Sequence, residues 1–155
     1  MTGEEKLNEF LEAVNAWVSS KYIVEIKEPT EATHILNFKK DHLTELTGEE
    51  CLYYAYELHA YSEYIETIRA KENAILEWAD SSIWYIISTA MQNYGTQYTK
   101  WQEKYYSAIK ENPLASEILK IKHHAEARVG SINGKYERVQ KMADILNNLS
   151  RTKRR

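Results

Sequence analysis

Positively charged side chains recur along the last third of the sequence at a spacing that could hold a polyanion. Lys135, Arg138 and Lys141 follow one another at intervals of three residues, so on a helix they share one broad face. Such a row can bind successive phosphates of a nucleic-acid strand. Each contact would release counterions and so make binding salt-dependent. The alternative is a solvated helix face with cations near a helix C-terminus, where the helix dipole favours them. The candidate nucleic-acid-binding residues are Lys120, Lys122, His124, Arg128, Lys135, Arg138, Lys141, Arg151, Lys153, Arg154 and Arg155.

The charge of the chain is unevenly distributed along its length. Residues 1–95 contain 7 Lys and Arg against 17 Asp and Glu, a net charge of −10. Residues 96–155 contain 13 Lys and Arg against 6 Asp and Glu, a net charge of +7. An acidic first part followed by a basic last part favours a polyanionic partner or head-to-tail contact between subunits.

Catalytic and metal chemistry have weaker support in the sequence. Cys51 follows a predicted helix start, where a thiolate is stabilised, but no signature places a base beside it, so we expect a buried structural cysteine. Glu31 and His34 have the Glu-x-x-His spacing of di-iron bundles, which need two such copies, and His59 has a common surface spacing to Glu63. Neither of the usual phosphate-binding glycine loops is present. We therefore predict a protein that is not an enzyme and has no metal and no cofactor.

Aromatic residues are abundant, with 12 Tyr and 4 Trp. They are candidates for the core and for helix–helix contacts, for a subunit interface, or for stacking on the bases of single-stranded nucleic acid. The sequence leaves these three alternatives open. The residues concerned are Tyr53, Tyr54, Tyr56, Tyr61, Tyr64, Tyr94, Tyr98, Trp101, Tyr105 and Tyr106.

Hydrophobic periodicity predicts the helices that must position these side chains. Thr47 and Glu50 have the spacing of a capping box and precede the longest helical pattern, which would extend about 65 Å. A helix of that length usually packs along another long helix. Residues 21–26 are β-branched and predict a short strand or an extended connector. The predicted helices span residues 3–19, 31–37, 41–45, 48–92, 96–110 and 114–150.

These elements predict an all-α fold, an elongated long-helix bundle or helical hairpin assembled into a homo-oligomer. We place a boundary between residues 1–46, an N-terminal helix with short connecting elements, and residues 47–155, a long-helix domain with a basic tail. Gly130 and Gly134 lie inside the last helix, where they either admit another helix closely or bend this one.

Composition excludes several classes of protein. With 43% hydrophobic and 28% charged residues, the chain is not a disordered polymer, and 5 Gly and 2 Pro are too few for a turn-rich β fold. A single Cys rules out an intramolecular disulfide framework and favours a reducing compartment. We find no apolar run of about 20 residues and no signal-peptide pattern, so we expect a cytoplasmic protein without a membrane partner.

Short segments in a particular order give the sequence a family resemblance. They are Glu31–Leu36, Leu46–Tyr61, Ala74–Ala79, His124–Arg128, Met142–Leu146 and Arg151–Arg155. Their order resembles the UvsY-like recombination mediators, small all-helical proteins from the recombination modules of tailed bacteriophages. The likeness covers residues 30 to 155 and consists of a pattern of helices and short sequence segments rather than a catalytic signature. It departs from the family in that the basic excess is terminal and the first 95 residues are acidic.

The resemblance implies a function. Members of that family bind single-stranded DNA, form ring-like oligomers, and help a RecA-like recombinase to displace single-strand-binding protein; they have no catalytic residues. We therefore expect a DNA recombination and repair mediator acting in the host cytoplasm. Its expected partners are single-stranded DNA, a RecA-like recombinase and single-strand-binding protein. None of the family's DNA-contacting residues is carried over, so the candidate residues rest on charge alone. The alternative is a phage structural or adaptor protein that uses long helices for oligomerisation.

Overall fold

Helices make up most of the computed structural model, which describes residues 1–21, 26–29 and 31–153. No strand occurs within these ranges, so the all-α prediction is confirmed. The strand or connector predicted over residues 21–26 lies mostly outside the described residues. The helices are α1 (Gly3–Ser20), α2 (Ala32–Leu36), α3 (Lys40–Glu45), α4 (Gly48–Ile87), α5 (Trp101–Glu111) and α6 (Pro113–Lys153), with a short 3-10 turn at Met91–Asn93.

Local side-chain signals set the helix ends. The backbone amide of Glu50 donates to Thr47 Oγ1 at 3.1 Å and Glu50 Oε1 accepts from the Thr47 amide at 3.2 Å, as the capping-box pattern predicts. Asn112 Oδ1 caps α6 by accepting from the amide of Ala115 at 3.0 Å, and Pro113 takes the first helical position, which needs no N–H donor. The sequence-based end of α4 at residue 92 is wrong by five residues, since the helix ends at Ile87.

Contacts divide the chain into two compact units. The first unit comprises residues 1–24 and 71–129, and the second comprises residues 25–70 and 130–155. Each unit therefore combines segments that are far apart in the sequence, and α4 and α6 contribute to both.

In the first unit, the latter part of α4 packs against α5 and the beginning of α6. Its buried residues are Ala79, Ile83, Ile87, Met91, Tyr105, Ala108, Ile109, Ala115 and Ile118. Asp80 contacts Lys122 and Glu72 contacts Arg128, so residue numbers rise along α4 as they fall along α6. The two helices are thus antiparallel here, as a helical hairpin requires.

In the second unit, the beginning of α4 and the latter part of α6 enclose a core together with α2. Its buried residues are Ala32, Ile35, Cys51, Ala55, Leu58, Tyr61, Ile65, Val139, Ala143 and Leu146. Arg69 Nη1 donates to Asn133 Oδ1 at 3.0 Å, whereas His59 lies 3.4 Å from Asn147, so these two segments also run antiparallel. Burial of these apolar side chains is the main favourable term in the folding of the unit.

Candidate nucleic-acid interface

Two of the predicted phosphate-binding cations form ion pairs within the first unit. Lys122 Nζ lies 2.7 Å from Asp80 Oδ1 and 4.0 Å from Glu126 Oε1, and its side chain is only 19% exposed. The hydrogen bond to Asp80 is the main reason why the pKa of Lys122 is raised. Arg128 Nε donates to Glu72 Oε2 at 3.0 Å. Because these carboxylates already neutralise them, we leave Lys122 and Arg128 out of the interface proposed below.

Lys120 and His124 border an open groove beside the start of α1. Thr2, Glu4, Glu117 and Ile121 also line this groove, so carboxylates face the same space as the two basic residues. Glu117 Oε2 accepts from the Gly3 amide at 2.7 Å and so occupies the N-terminus of α1, where an incoming anion would otherwise find free donors. This environment is poorly suited to a phosphate.

Lys153 holds the end of α3 within the second unit. Its ammonium group donates to the backbone carbonyls of Leu43 at 2.6 Å and Thr44 at 3.3 Å, and also to that of Leu46. Carbonyl groups at a helix C-terminus lack intrahelical partners, and a cation there also complements the helix dipole. The ammonium group of Lys153 therefore has a structural role at the end of α3. Arg154 and Arg155 lie outside the described residues.

The remaining candidates lie on the surface of α6 in the second unit. Lys135, Arg138, Lys141 and Arg151 are all exposed. Arg138 Nη2 donates to the Leu36 carbonyl at 3.4 Å, which uses one of its five N–H donors, and Lys135 Nζ lies 5.0 Å from the centroid of the Tyr61 ring. Within the described ranges, none of the four forms an ion pair with a carboxylate. These four residues form what we call the α6 cation row.

Folding largely removes the charge asymmetry seen along the sequence. Each unit combines acidic residues of the first part with basic residues of the last. Among the residues that the structure describes, the first unit contains 9 Lys and Arg against 11 Asp and Glu, and the second likewise contains 9 against 11. The uneven distribution is thus explained in part by contacts between the antiparallel helices, and the case for a polyanion partner depends on the local cation row.

The aromatic residues divide between core and surface. Tyr61 and Tyr105 are buried, whereas Tyr53, Tyr56 and Tyr98 are exposed. Tyr53, near the start of α4, lies close to an acid, since Glu57 is the main cause of its raised pKa. Sequence analysis did not single out Trp84, which is 48% exposed and lies beside Trp101.

Other chemistries find no site in the described part of the chain. Cys51 is fully buried, and this burial is the main reason why the pKa of its thiol is raised, which disfavours the nucleophilic thiolate. No group of three His, Cys, Asp or Glu side chains in residues 1–21, 26–29 and 31–153 is placed to hold a metal ion.

Comparison with known proteins adds no assignment. No protein-family model, curated protein or solved structure matches this chain. Among the described helices, none combines the length and apolar character needed to cross a bilayer.

Proposed function

We propose that the protein is a non-catalytic mediator of DNA recombination that holds single-stranded DNA on the α6 cation row. The observation that carries this proposal is the spacing of Lys135, Arg138 and Lys141, which are exposed, three residues apart and free of ion pairs in the described chain. At 1.5 Å rise per residue, Lys135, Arg138 and Lys141 follow one another at intervals of about 4.5 Å along the helix axis, and Arg151 lies about 15 Å beyond Lys141. The long side chains of Lys135, Arg138 and Lys141 can therefore contact neighbouring phosphates of one strand.

The expected binding is electrostatic and independent of sequence. The row consists of two lysines and two arginines, which can neutralise phosphates without reading the bases; lysine does so as a point charge and arginine with paired hydrogen bonds. Affinity must then fall as salt rises, with a log–log slope of about −0.7 for each phosphate contact on a single strand.

A salt titration with charge-removing variants tests the proposal. We expect Lys135→Gln, Arg138→Gln and Lys141→Gln together to weaken binding to a fluorescent oligonucleotide and to reduce the salt slope by about 2, three contacts at about 0.7 each. The matched control removes three exposed charges from the first unit, Lys21→Gln, Lys71→Gln and Lys110→Gln. Equal losses in both triple variants, or no binding by the natural protein at low salt, would refute the proposal.

The partners of such a mediator follow from the resemblance to UvsY-like proteins. We propose that a homo-oligomer presents the bound strand to a RecA-like recombinase and assists it in displacing single-strand-binding protein. The expected result is faster filament formation on a strand coated with single-strand-binding protein, measured by the ATPase activity of the recombinase. The cation-row variant should lose this stimulation, whereas the control triple variant should keep it.

An adaptor protein that assembles through its helices is the second candidate. It is favoured by Gly130 and Gly134, which are exposed on α6. Apart from the adjacent residues and backbone of α6 itself, no atom lies within 4 Å of the point where a Cβ would stand, so the space beside them is open to another helix. Solution mass with and without an oligonucleotide separates the two functions. An adaptor forms its oligomer without DNA and shows no shift when DNA is added.

A further inference from the structure

Three aromatic rings form a continuous ladder on the first unit. The Trp84 and Trp101 ring centroids lie 6.0 Å apart with planes inclined by 30°. Trp101 in turn stacks on Tyr105, at 4.9 Å and 19°. We call these three residues the aromatic ladder.

The ladder is anchored at one end and open at the other. Tyr105 is 8% exposed and belongs to the buried core of the unit, whereas Trp84 and Trp101 are 48% and 55% exposed. Large aromatic side chains usually bury most of their surface, because that burial is a major source of their stabilising energy. Trp101 lies between Trp84 and the buried Tyr105 in this ladder, so Trp84 presents the open end of a preorganised surface that lacks a partner within the described part of the unit.

Charges around the ladder favour an anionic ligand. Lys100 immediately precedes Trp101 and Lys104 lies one helical turn beyond it, while Glu103 is about 200° away around α5. Asp80, one turn before Trp84 on α4, is already paired with Lys122. The two lysines are thus neighbours of Trp101 along α5, and the acidic residue nearest to Trp84 along α4 is paired with a lysine.

We infer that the aromatic ladder is a base-stacking platform for unpaired nucleotides. An indole face accepts any base, so the contact is independent of sequence, and flanking lysines attract the phosphates on either side. This inference rests on the proposed function, since it needs a protein that binds single-stranded DNA, and it adds the chemical group that the first unit recognises.

Comparison of a normal strand with a strand lacking bases tests the inference. We expect the natural protein to bind oligo-dT more tightly than an abasic strand of equal length. Trp84→Ala with Trp101→Ala should weaken oligo-dT binding at least about tenfold and leave binding to the abasic strand unchanged. The matched control is Trp17→Ala, which removes an indole that is 58% exposed on α1 and outside the ladder.

A second readout keeps the test independent of any folding defect in the alanine variants. Trp101→Phe preserves an aromatic face and should retain most of the preference for oligo-dT. Binding of oligo-dT should quench the indole fluorescence of Trp17→Phe, which keeps the ladder, and should quench that of Trp84→Phe with Trp101→Phe far less.

The outcomes separate this inference from the proposed function. If the natural protein binds neither strand at low salt, both are wrong. If it binds both strands equally, or if the double alanine variant keeps its preference for oligo-dT, DNA binding stands and the stacking platform is refuted. A fall in the solution mass of the double variant without DNA would show that the ladder is a subunit contact, which also overturns the inference.

Discussion

Replacing the two glycines inside α6 by alanine should stabilise the protein. Glycine in a helix interior is less stable than alanine because it loses more backbone freedom on folding. The new methyl group would not clash at Gly130 or Gly134, since no atom other than the adjacent residues and backbone of α6 itself lies within 4 Å of the Cβ position.

The magnitude follows from the same geometry. Each exposed helical Gly→Ala change contributes about 0.5–1 kcal/mol. Neither methyl group meets a neighbouring side chain, so the two contributions should add to about 1–2 kcal/mol. With a urea slope of about 2 kcal/mol/M, the midpoint of unfolding should rise by about 0.5–1 M.

Gly95 provides a control, because replacing it by alanine should lower the stability of the protein. Its φ of 76° lies in the left-handed region, which costs a residue with a Cβ about 1–2 kcal/mol. A Cβ at this position would also overlap the Thr99 side chain, which accepts a hydrogen bond from the Thr96 amide at 2.8 Å. Gly95→Ala should therefore lower the midpoint, although the chemical change is the same.

Urea unfolding followed by circular dichroism at two protein concentrations decides the matter. We expect Gly130→Ala with Gly134→Ala to raise the midpoint by the same amount at both concentrations. A lower midpoint would contradict the conclusion that this face of α6 is unoccupied. If that loss appears only at the higher concentration, where oligomers form, a helix of another subunit packs on the two glycines.

Three further predictions concern single contacts. The pKa of Lys122 is raised by Asp80, so their interaction stabilises the fold at pH values below the ordinary lysine pKa of 10.5. This stabilisation is lost as the pH rises through the higher pKa of the folded protein. In thermal unfolding, Lys122→Met should therefore lose less stability at alkaline pH than the natural protein does. Lys153→Ala leaves the carbonyl of Leu43 without its donor and should cost about 1.5–3 kcal/mol in chemical unfolding, while the conservative Lys153→Arg should restore part of it. Cys51 should react slowly with a thiol reagent in the native state and rapidly in urea, and fast native labelling would show that the second unit opens readily.

Sequence analysis predicted the helices because their signals are local. The capping box at Thr47 lies next to the residues it affects, and Asn112 and Pro113 likewise mark the change from α5 to α6. Spacings of three and four along the sequence of α4 predict an inward stripe that ends with Ser82 and Ile86, whereas the buried residues near the end of the helix are Ile83 and Ile87. Which residues of α4 face inward depends on where α5 packs against it, and the sequence of α4 alone does not determine that position.

The sequence by itself determined the all-α fold class, the approximate helix bounds and the presence of cations along α6, since these depend on residue type and short-range spacing. Only the tertiary structure decided which cations stay available. Lys122 is neutralised by Asp80, and Lys153 is held by carbonyl groups near residue 43. The pairing of Trp84 with Trp101 likewise depends on the packing of α5 against α4. The physical reason is that ion pairs and ring stacking act over a few ångströms in space, and antiparallel packing brings together residues that are distant in sequence.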